Sequence, residues 1–308
     1  MPDAAARAER AVRDARVVRS RTSVIERFRR IVAYRELLVG MTRKELKIKY
    51  KNSILGFAWS LLNPLLYLVV FYVAFVKILG SGVPEFPIFL LSGLLVWNLF
   101  STALGAACSS VVANAGLVKK VAFPREILPL AAVGSMLVHF FLQSMVLFAV
   151  IAVLWRPVAW EYVALLPLAL VALLLLCGAL GILLSATNVY LRDTQHFLEL
   201  ALLAWFWFTP IVYGFMTIGR RESLFSKIYM LNPVTPIVLI FQRALYAKLD
   251  NPKVPVTAAD PKINQILPHW PMTGYLAYLG YSLVIGAIML TIAIAVFGRS
   301  EANFAEEL

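Results

Sequence analysis

Six stretches of this chain carry no charged residue, and the charges gather in the segments between them. The uncharged runs cover residues 54–76, 86–118, 127–155, 162–191, 200–219 and 263–298. About 20 apolar residues at ~1.5 Å rise per residue cross the ~30 Å hydrocarbon layer of a bilayer, and each run reaches that length. The pattern therefore predicts six transmembrane helices. The sixth is expected to begin near Met272, because Pro268, His269 and Pro271 suit an interfacial turn better than a helix interior. A seventh apolar piece, residues 228–242, is too short to cross and contains Asn232, Pro233 and Pro236. It reads as a re-entrant or interfacial segment. The fold class is all-α membrane protein: a basic cytoplasmic or interfacial segment over 1–53, one six-span domain over 54–298, and a tail over 299–308.

Charge sets the orientation. Residues 1–53 hold 15 Lys and Arg against 6 Asp and Glu, which supplies +9 of the chain's net +12. Positive residues concentrated beside the first span hold that end in the cytoplasm. Six crossings then return residues 299–308 to the same side, and the cytoplasmic segments contain 20 of the 29 Lys and Arg. The two short external turns hold one each, Lys77 and Arg156. Trp97, Trp155, Trp160 and Trp270 fall near run ends or turns, where indole rings anchor at the interface.

Composition narrows the chemistry. Hydrophobic residues make up 61% of the chain and charged residues 15%, far from the soluble average. A basic soluble protein would suggest nucleic acid, but here the charge is collected at one end and no nucleic-acid partner is expected. Cys108 and Cys177 both fall inside apolar runs and read as buried thiols rather than a disulfide. The polar first 50 residues lack the pattern of a cleavable signal peptide. There is no GxxxxGK[ST] loop to cradle a nucleotide, no HExxH, and no Cys/His cluster with metal spacing. His139, His196 and His269 are scattered. The runs also lack the intramembrane carboxylates or cations that ion-coupled transporters use. Asp193 and Glu199, flanking a short cytoplasmic turn, are the nearest acidic pair in the middle of the chain. These patterns mark no catalytic, cofactor or metal site. Any uphill movement then draws its energy from another chain.

Two polar segments stand out. The cytoplasmic stretch from Asn114 to Pro129 is bounded by Gly116 and Pro124, and fits a compact surface helix followed by a turn. Phe123 in it either enters a partner's pocket or touches lipid. In the basic segment Lys44, Lys47 and Lys51 share one helical face and Leu46 and Tyr50 another, with Ile48 misplaced. Upstream, Ile25, Phe28, Ile31 and Val32 form an apolar stripe among Arg27, Arg29, Arg30 and Arg35. Both pieces suit helices lying on anionic lipid.

The sequence Arg43-Lys44-Glu45-Leu46-Lys47, with Tyr50-Lys51, Leu55-Gly56, Trp59 and Pro64, resembles the N-terminal signature of type-2 ABC exporter permeases. Four further places match in family order: Phe123-Pro124-Arg125-Glu126-Ile127-Leu128-Pro129; Asn188-Val189-Tyr190-Leu191-Arg192-Asp193; Thr209-Pro210-Ile211-Val212-Tyr213; and Leu231-Asn232-Pro233 with Arg243. The resemblance covers the chain from about residue 30 to the end. It is strongest for the branch that exports O-antigens, teichoic acids and related lipid-linked glycans. One departure is Lys44, with Glu45 following, where an acidic residue usually follows the Arg.

The resemblance implies a transport subunit with no catalytic residue, cofactor or metal of its own, and a division of labour along the chain. Residues 43–53 correspond to a gate helix at the cytoplasmic entrance, with the phosphate of a polyprenyl carrier as partner of Arg43, Lys44, Lys47, Tyr50 or Lys51. Lys119, Lys120, Phe123, Pro124, Arg125 and Glu126 correspond to the cytoplasmic coupling helix that docks on the ATPase subunit. Residues 228–242 correspond to external re-entrant helices between spans five and six. Tyr67, Phe71 and Phe75 recur every four residues on one face. With Trp205, Phe208 and Tyr213 they are the candidate aromatic lining of the conduit, since sugar rings stack on aromatic faces; lipid-facing or packing rings are the alternative. His139, Gln143 and Ser144 either line a polar path or bond between helices. The implied assembly is a homodimer in the bacterial plasma (inner) membrane with two P-loop nucleotide-binding subunits, which bind ATP and Mg. Its cargo would be a polyprenyl-pyrophosphate-linked glycan. The Ala-rich opening, with Arg as its only cation, suggests a high-GC organism, and an actinobacterial source would make the cargo a cell-wall galactan. A drug or simple-lipid exporter, or a membrane glycosyltransferase for the same glycan, are the competing readings.

Overall fold

The computed structural model describes residues 23–51, 58–80, 83, 85–155, 158–216, 224–246, 266–268 and 270–308. The Arg-rich opening, residues 52–56 of the basic-to-apolar junction, Arg156 and His269 lie outside the described residues.

Two polar helices come first. Helix α1 (Val24–Ala33) is capped by Ser23, whose hydroxyl accepts the Glu26 amide at 3.2 Å, as Ser does at helix starts. Only Tyr34 separates it from α2 (Arg35–Tyr50). The Tyr34 and Leu38 amides keep helical bonds to the Arg30 and Tyr34 carbonyls, both at 3.0 Å. Tyr34 itself, at φ −91° and ψ 24°, is outside helical geometry, so these bonds close α1 and open α2 on either side of a one-residue break.

The apolar elements follow as α3 (Ala58–Phe71), α4 (Phe86–Ala113), α6 (Ile127–Val153), the short α7 (Trp160–Val163) leading into α8 (Leu166–Tyr190), α9 (Thr194–Trp207) and α12 (Met272–Ser300). The six-residue α5 (Ala115–Lys120) links α4 to α6. Helices α10 (Leu224–Leu231) and α11 (Val234–Leu245) are parted at Asn232–Pro233, and a 3₁₀ turn, Glu301–Asn303, leads to α13 (Phe304–Glu307).

Among the described residues four helices are long and apolar enough to cross a bilayer: Phe86–Ala113, Ile127–Val153, Trp160–Tyr190 and Met272–Asn303. They occupy the second, third, fourth and sixth uncharged runs, and the last begins at Met272 as expected. The first and fifth runs differ from the prediction. Helix α3 contains Pro64, and its continuation over Tyr72–Ile78 widens into π-helical winding. Its apolar part, Pro64–Ile78, is short of a full crossing. It also runs past the charge at Lys77, whose ammonium lies 5.9 Å from the Tyr72 ring centre. Helix α9 starts at Thr194, because the lone Glu199 does not stop a helix. It ends after 14 residues, just ahead of Pro210, which has no N–H to continue the ladder.

Helix α4 is the central element. It is enclosed along most of its length by α6, α8, α11, α9 and α3, while α12 packs along α8. Trp97, expected at an interface, is instead 7% exposed inside this core against Phe100 and Phe206. Helix α11 is buried almost throughout, between α4, α7, α8 and α12. The ends of α4 and α8, the start of α6, helix α1 and the chain's last residues lie together at one end of the bundle. Helix α7, the end of α11 and residues 266–268 gather at the other, where the Ala159 amide bonds the Ala244 carbonyl at 3.0 Å.

Candidate functional site

Three segments far apart in sequence converge on one guanidinium. Arg27 of α1 donates to Glu126 at 2.7 Å and to Glu301 at 2.6 Å, and reaches the Gly298 carbonyl at 3.4 Å. The Arg27 side chain is 15% exposed, Glu126 only 2% and Glu301 26%. Arginine's planar fork suits this double contact, since separate N–H groups address separate carboxylates. A Cβ added to Gly298 would lie 2.5 Å from Arg27 Cζ, so glycine leaves the room the guanidinium fills. Burial works against the Arg27 charge, but the bonds to Glu301 and Glu126 outweigh it and raise its pKa. Burial, helped by the Glu301 carboxylate, raises the Glu126 carboxyl, and the Arg27 bond offsets this only in part.

A second set of contacts locks the tail. Arg125 donates to the Glu301 carbonyl and lies 6.0 Å from the Phe304 ring centre. Phe304 is fully buried, edge-on to Phe297 and Tyr190, and the Tyr190 hydroxyl donates to the Ser300 carbonyl at 2.7 Å. Arg125 and Glu126, read from the sequence with the exposed coupling residues, are thus engaged inside this chain. Phe123 is half-buried against the same apolar cluster, and Pro124 is half-buried beside it. Lys119, Lys120, Val121 and Ala122 form the exposed tip.

The basic helix α2 lies along α6. Lys44 donates to Asn114 at 2.6 Å, at the joint between α4 and α5. Thr42 donates to the Leu38 carbonyl at 2.9 Å and lies 3.4 Å from the Ala131 carbonyl. The Tyr50 hydroxyl pairs with His139 Nδ1 at 2.7 Å. Close approach is possible because Gly134 faces Thr42, where a Cβ would lie 3.0 Å from the Thr42 hydroxyl. Arg43, Lys47 and Lys51 remain exposed. On α1, Ile25, Phe28 and Val32 are exposed, whereas Ile31 is buried in the protein.

The aromatic residues assemble into a seam between α3, α4 and α9. Tyr67 stacks on Phe71 with ring centres 6.2 Å apart, and Phe71 contacts Phe75 at 5.9 Å and Phe206 at 6.2 Å. Phe75 continues to Phe86 at 6.0 Å. Trp205 packs edge-on to Phe100 at 5.0 Å, and its indole N–H donates to Asn232 at 3.0 Å. Asn232 also bonds Thr209 and the Val234 amide, each at 3.0 Å, so it ties the end of α9 to the α10–α11 break. Tyr213 donates to the Trp207 carbonyl, and its oxygen is 3.3 Å from that of Tyr229. Tyr67, Trp207 and Phe208 keep exposed faces. Phe71, Phe75 and Trp205 are shared between the seam and the chain's own packing. Gln143 lies 3.4 Å from Asn98 and Ser144 bonds the Phe140 carbonyl within its helix, so these two polar residues make helix contacts.

Sequence reasoning did not single out Arg27, Asn114, Gly134, Glu301 or Phe304. None sits in a local pattern that marks it; each acquires a role only through a partner far along the chain.

A family model described as ABC-2 type transporter matches residues 36–246, from α2 through the end of α11. The O-antigen export system permease protein RfbA of Myxococcus xanthus is 35% identical over 223 residues, covering 72% of this chain and 85% of that protein. An O-antigen export system permease protein RfbA of Klebsiella pneumoniae is 28% identical over 273 residues, covering 89% and 95%. The polysialic acid transport protein KpsM of Escherichia coli is 22% identical over 211 residues, covering 66% and 78%. With its bundle of apolar helices and this match across most of its length, the chain belongs to the ABC-2 type transporter family and is a multi-pass membrane permease.

Proposed function

We propose that the chain is the permease subunit of an ATP-driven exporter that moves a lipid-linked polysaccharide from the cytoplasmic to the outer face of a bacterial inner membrane. The observation that carries this reading is the match to O-antigen export permeases over most of both chains. ATP and Mg are bound by a separate P-loop subunit, which docks on the exposed Lys119–Lys120 tip. Charged residues at a rim steer such an encounter more than they set its affinity. The tip is short and braced from behind by Arg125 and Glu126, as a force-bearing contact needs.

Six crossings fit the geometry. Helix α1 and the start of α4 lie at opposite ends of the bundle, and α2 runs along α6 as far as His139, so α2 and α3 together carry the chain across once. The end of α8 and the start of α12 lie at opposite ends as well, so α9 and the residues after it carry it across again. The cationic end faces the cytoplasm, and α10–α11 form the re-entrant pair at the outer end.

The polymer path runs between two copies of the chain, along Tyr67 and Phe208, with Phe71, Phe75, Trp205 and Tyr213 as their support. The exposed apolar residues Leu66 and Val70 of α3 and Leu200 and Leu203 of α9 suit lipid and a second copy. Arg43 stands near the start of α6 and Lys47 and Lys51 deeper along it, and these exposed cations meet the carrier phosphate as it enters. Lys44 does so only after leaving Asn114.

Two measurements test the reading. The permease and the ATPase encoded beside it should purify together from membranes. Depletion of the permease should leave lipid-linked glycan accumulating on the cytoplasmic face. Unchanged glycan export after depletion would exclude the proposed cargo.

A further inference from the structure

The cytoplasmic end of the bundle holds more than a docking tip. The segment from Asn114 to Glu126 is bonded at its two ends to the consecutive helices α1 and α2. Lys44 of α2 holds its beginning through Asn114 at 2.6 Å, and Arg27 of α1 holds its end through Glu126 at 2.7 Å. Only Tyr34 separates α1 from α2, so the two attachments lie on consecutive helices. The same Arg27 holds Glu301 of the tail, and Arg125 on the other side of the segment holds the Glu301 carbonyl. Arg27 and Glu301 both lie outside residues 36–246, the part that matches the family.

A tip connected to the bundle only through α4 and α6 would tilt those two helices when pushed. Here the push has a second outlet. Glu126 is nearly fully buried, so its ion pair resists separation far more than an exposed pair would. Moving the segment therefore pulls α1 through Arg27 at one end and α2 through Lys44 at the other.

We propose that Arg27 is a positioning residue that joins the ATPase-facing segment, the basic entrance helix α2 and the C-terminal tail into one moving unit. Displacement of the Lys119–Lys120 tip then shifts α2 along α6 in the same step. The tail, seated by Phe304 in its apolar socket, moves with that unit and holds Arg27 on Glu126. This inference rests on the reading that the 114–126 segment contacts an ATP-hydrolysing partner.

The test uses the full permease–ATPase complex in nanodiscs, with spin labels at Lys47 on α2 and Phe141 on α6, both exposed. Adding ATP to the wild-type complex should change the label distance. In Arg27→Ala the ATP-driven change should shrink roughly fivefold, on the scale of a linked-site coupling. ATP hydrolysis per bound ATPase should stay within about twofold of wild type, and Arg27→Lys should restore part of the distance change. Glu301→Gln removes the more exposed arm without stranding a buried charge, and should show the same loss to a smaller degree even if Arg27→Ala accumulates poorly. A full distance change in both variants, or a wild-type α2 that does not respond to ATP, overturns the proposal and leaves the exporter reading intact. Failure of the wild-type permease to retain the ATPase overturns the exporter reading itself.

Discussion

Replacing Gly134 with valine should lift α2 off α6. An added Cβ would lie 3.0 Å from the Thr42 hydroxyl and 3.5 Å from its methyl, and the two γ-methyls of valine extend further toward α2. The helices must separate by a few tenths of an ångström or Thr42 must turn away. Overpacking of this kind costs ~1–3 kcal/mol, and the better helix propensity of valine over glycine returns only a few tenths. A net of about 1.4 kcal/mol raises the displaced population of α2 about tenfold. The assay is the distance distribution between spin labels at Lys47 and Phe141, measured in nanodiscs without ATP. Cys108 and Cys177 are buried and give little background labelling. Gly134→Val should broaden the distribution toward longer distances. Adding Thr42→Ala removes the hydroxyl and methyl nearest that Cβ, at the loss of the hydroxyl's bonds to the Leu38 and Ala131 carbonyls, and should return most of the population to the docked position. The reasoning is refuted if Gly134→Val leaves the distribution unchanged, or if the double variant is displaced by the sum of the two single effects.

Three further outcomes are expected. Tyr50→Phe deletes the 2.7 Å bond to His139, worth about 0.5–1.5 kcal/mol, and should shift the same label distance in the same direction but less than Gly134→Val. Lys119→Glu combined with Lys120→Glu should weaken ATPase retention on affinity resin, most at low ionic strength because exposed charges are screened as salt rises; equal loss at all salt concentrations would count against electrostatic docking. Trp205→Phe keeps the packing on Phe100 but removes the indole bond to Asn232, and should lower the detergent inactivation midpoint by an amount corresponding to about 1 kcal/mol; an unchanged midpoint would mean Thr209 and the Val234 amide hold Asn232 unaided.

Much of the bundle was legible because lipid imposes a plain rule: long helices without charge. The runs over 86–118, 127–155, 162–191 and 263–298 became long helices for that reason. Charge was a poor ruler for the other two. Lys77 closed the first run on paper, yet a long cationic side chain can lie along the helix and reach outward, so α3 winds past it. Glu199 opened the fifth run too late, because one carboxylate on an exposed helix face costs little, and the end was set by Pro210. Trp97 illustrates a different limit. An indole suits both an interface and a crowded core, and only the arrival of Phe206 from α9 decides between them.

The segment from Asn114 to Glu126 was half legible. Lys119 and Lys120 are exposed, as a surface helix predicts, but Arg125 and Glu126 read the same way and are instead claimed by the tail and α1. Arg27 looks like one of several arginines in an amphipathic stripe. What distinguishes it is Glu126, 99 positions away, and Glu301, 274 positions away, a relation that no local periodicity encodes. The aromatic stripe Tyr67, Phe71 and Phe75 was visible as a spacing, whereas its closure against Phe206 required the packing of α3 on the rest of the bundle.

Purified permease and its ATPase, reconstituted in proteoliposomes with lipid-linked polysaccharide extracted from the source membranes, test the central claim most directly. Glycan protected from an added glycosidase should accumulate when ATP and Mg are supplied outside, and should fail to accumulate without ATP or with the Lys119→Glu, Lys120→Glu permease. Glycan that becomes protected equally with and without ATP, or that never becomes protected while ATP is hydrolysed, would contradict the account.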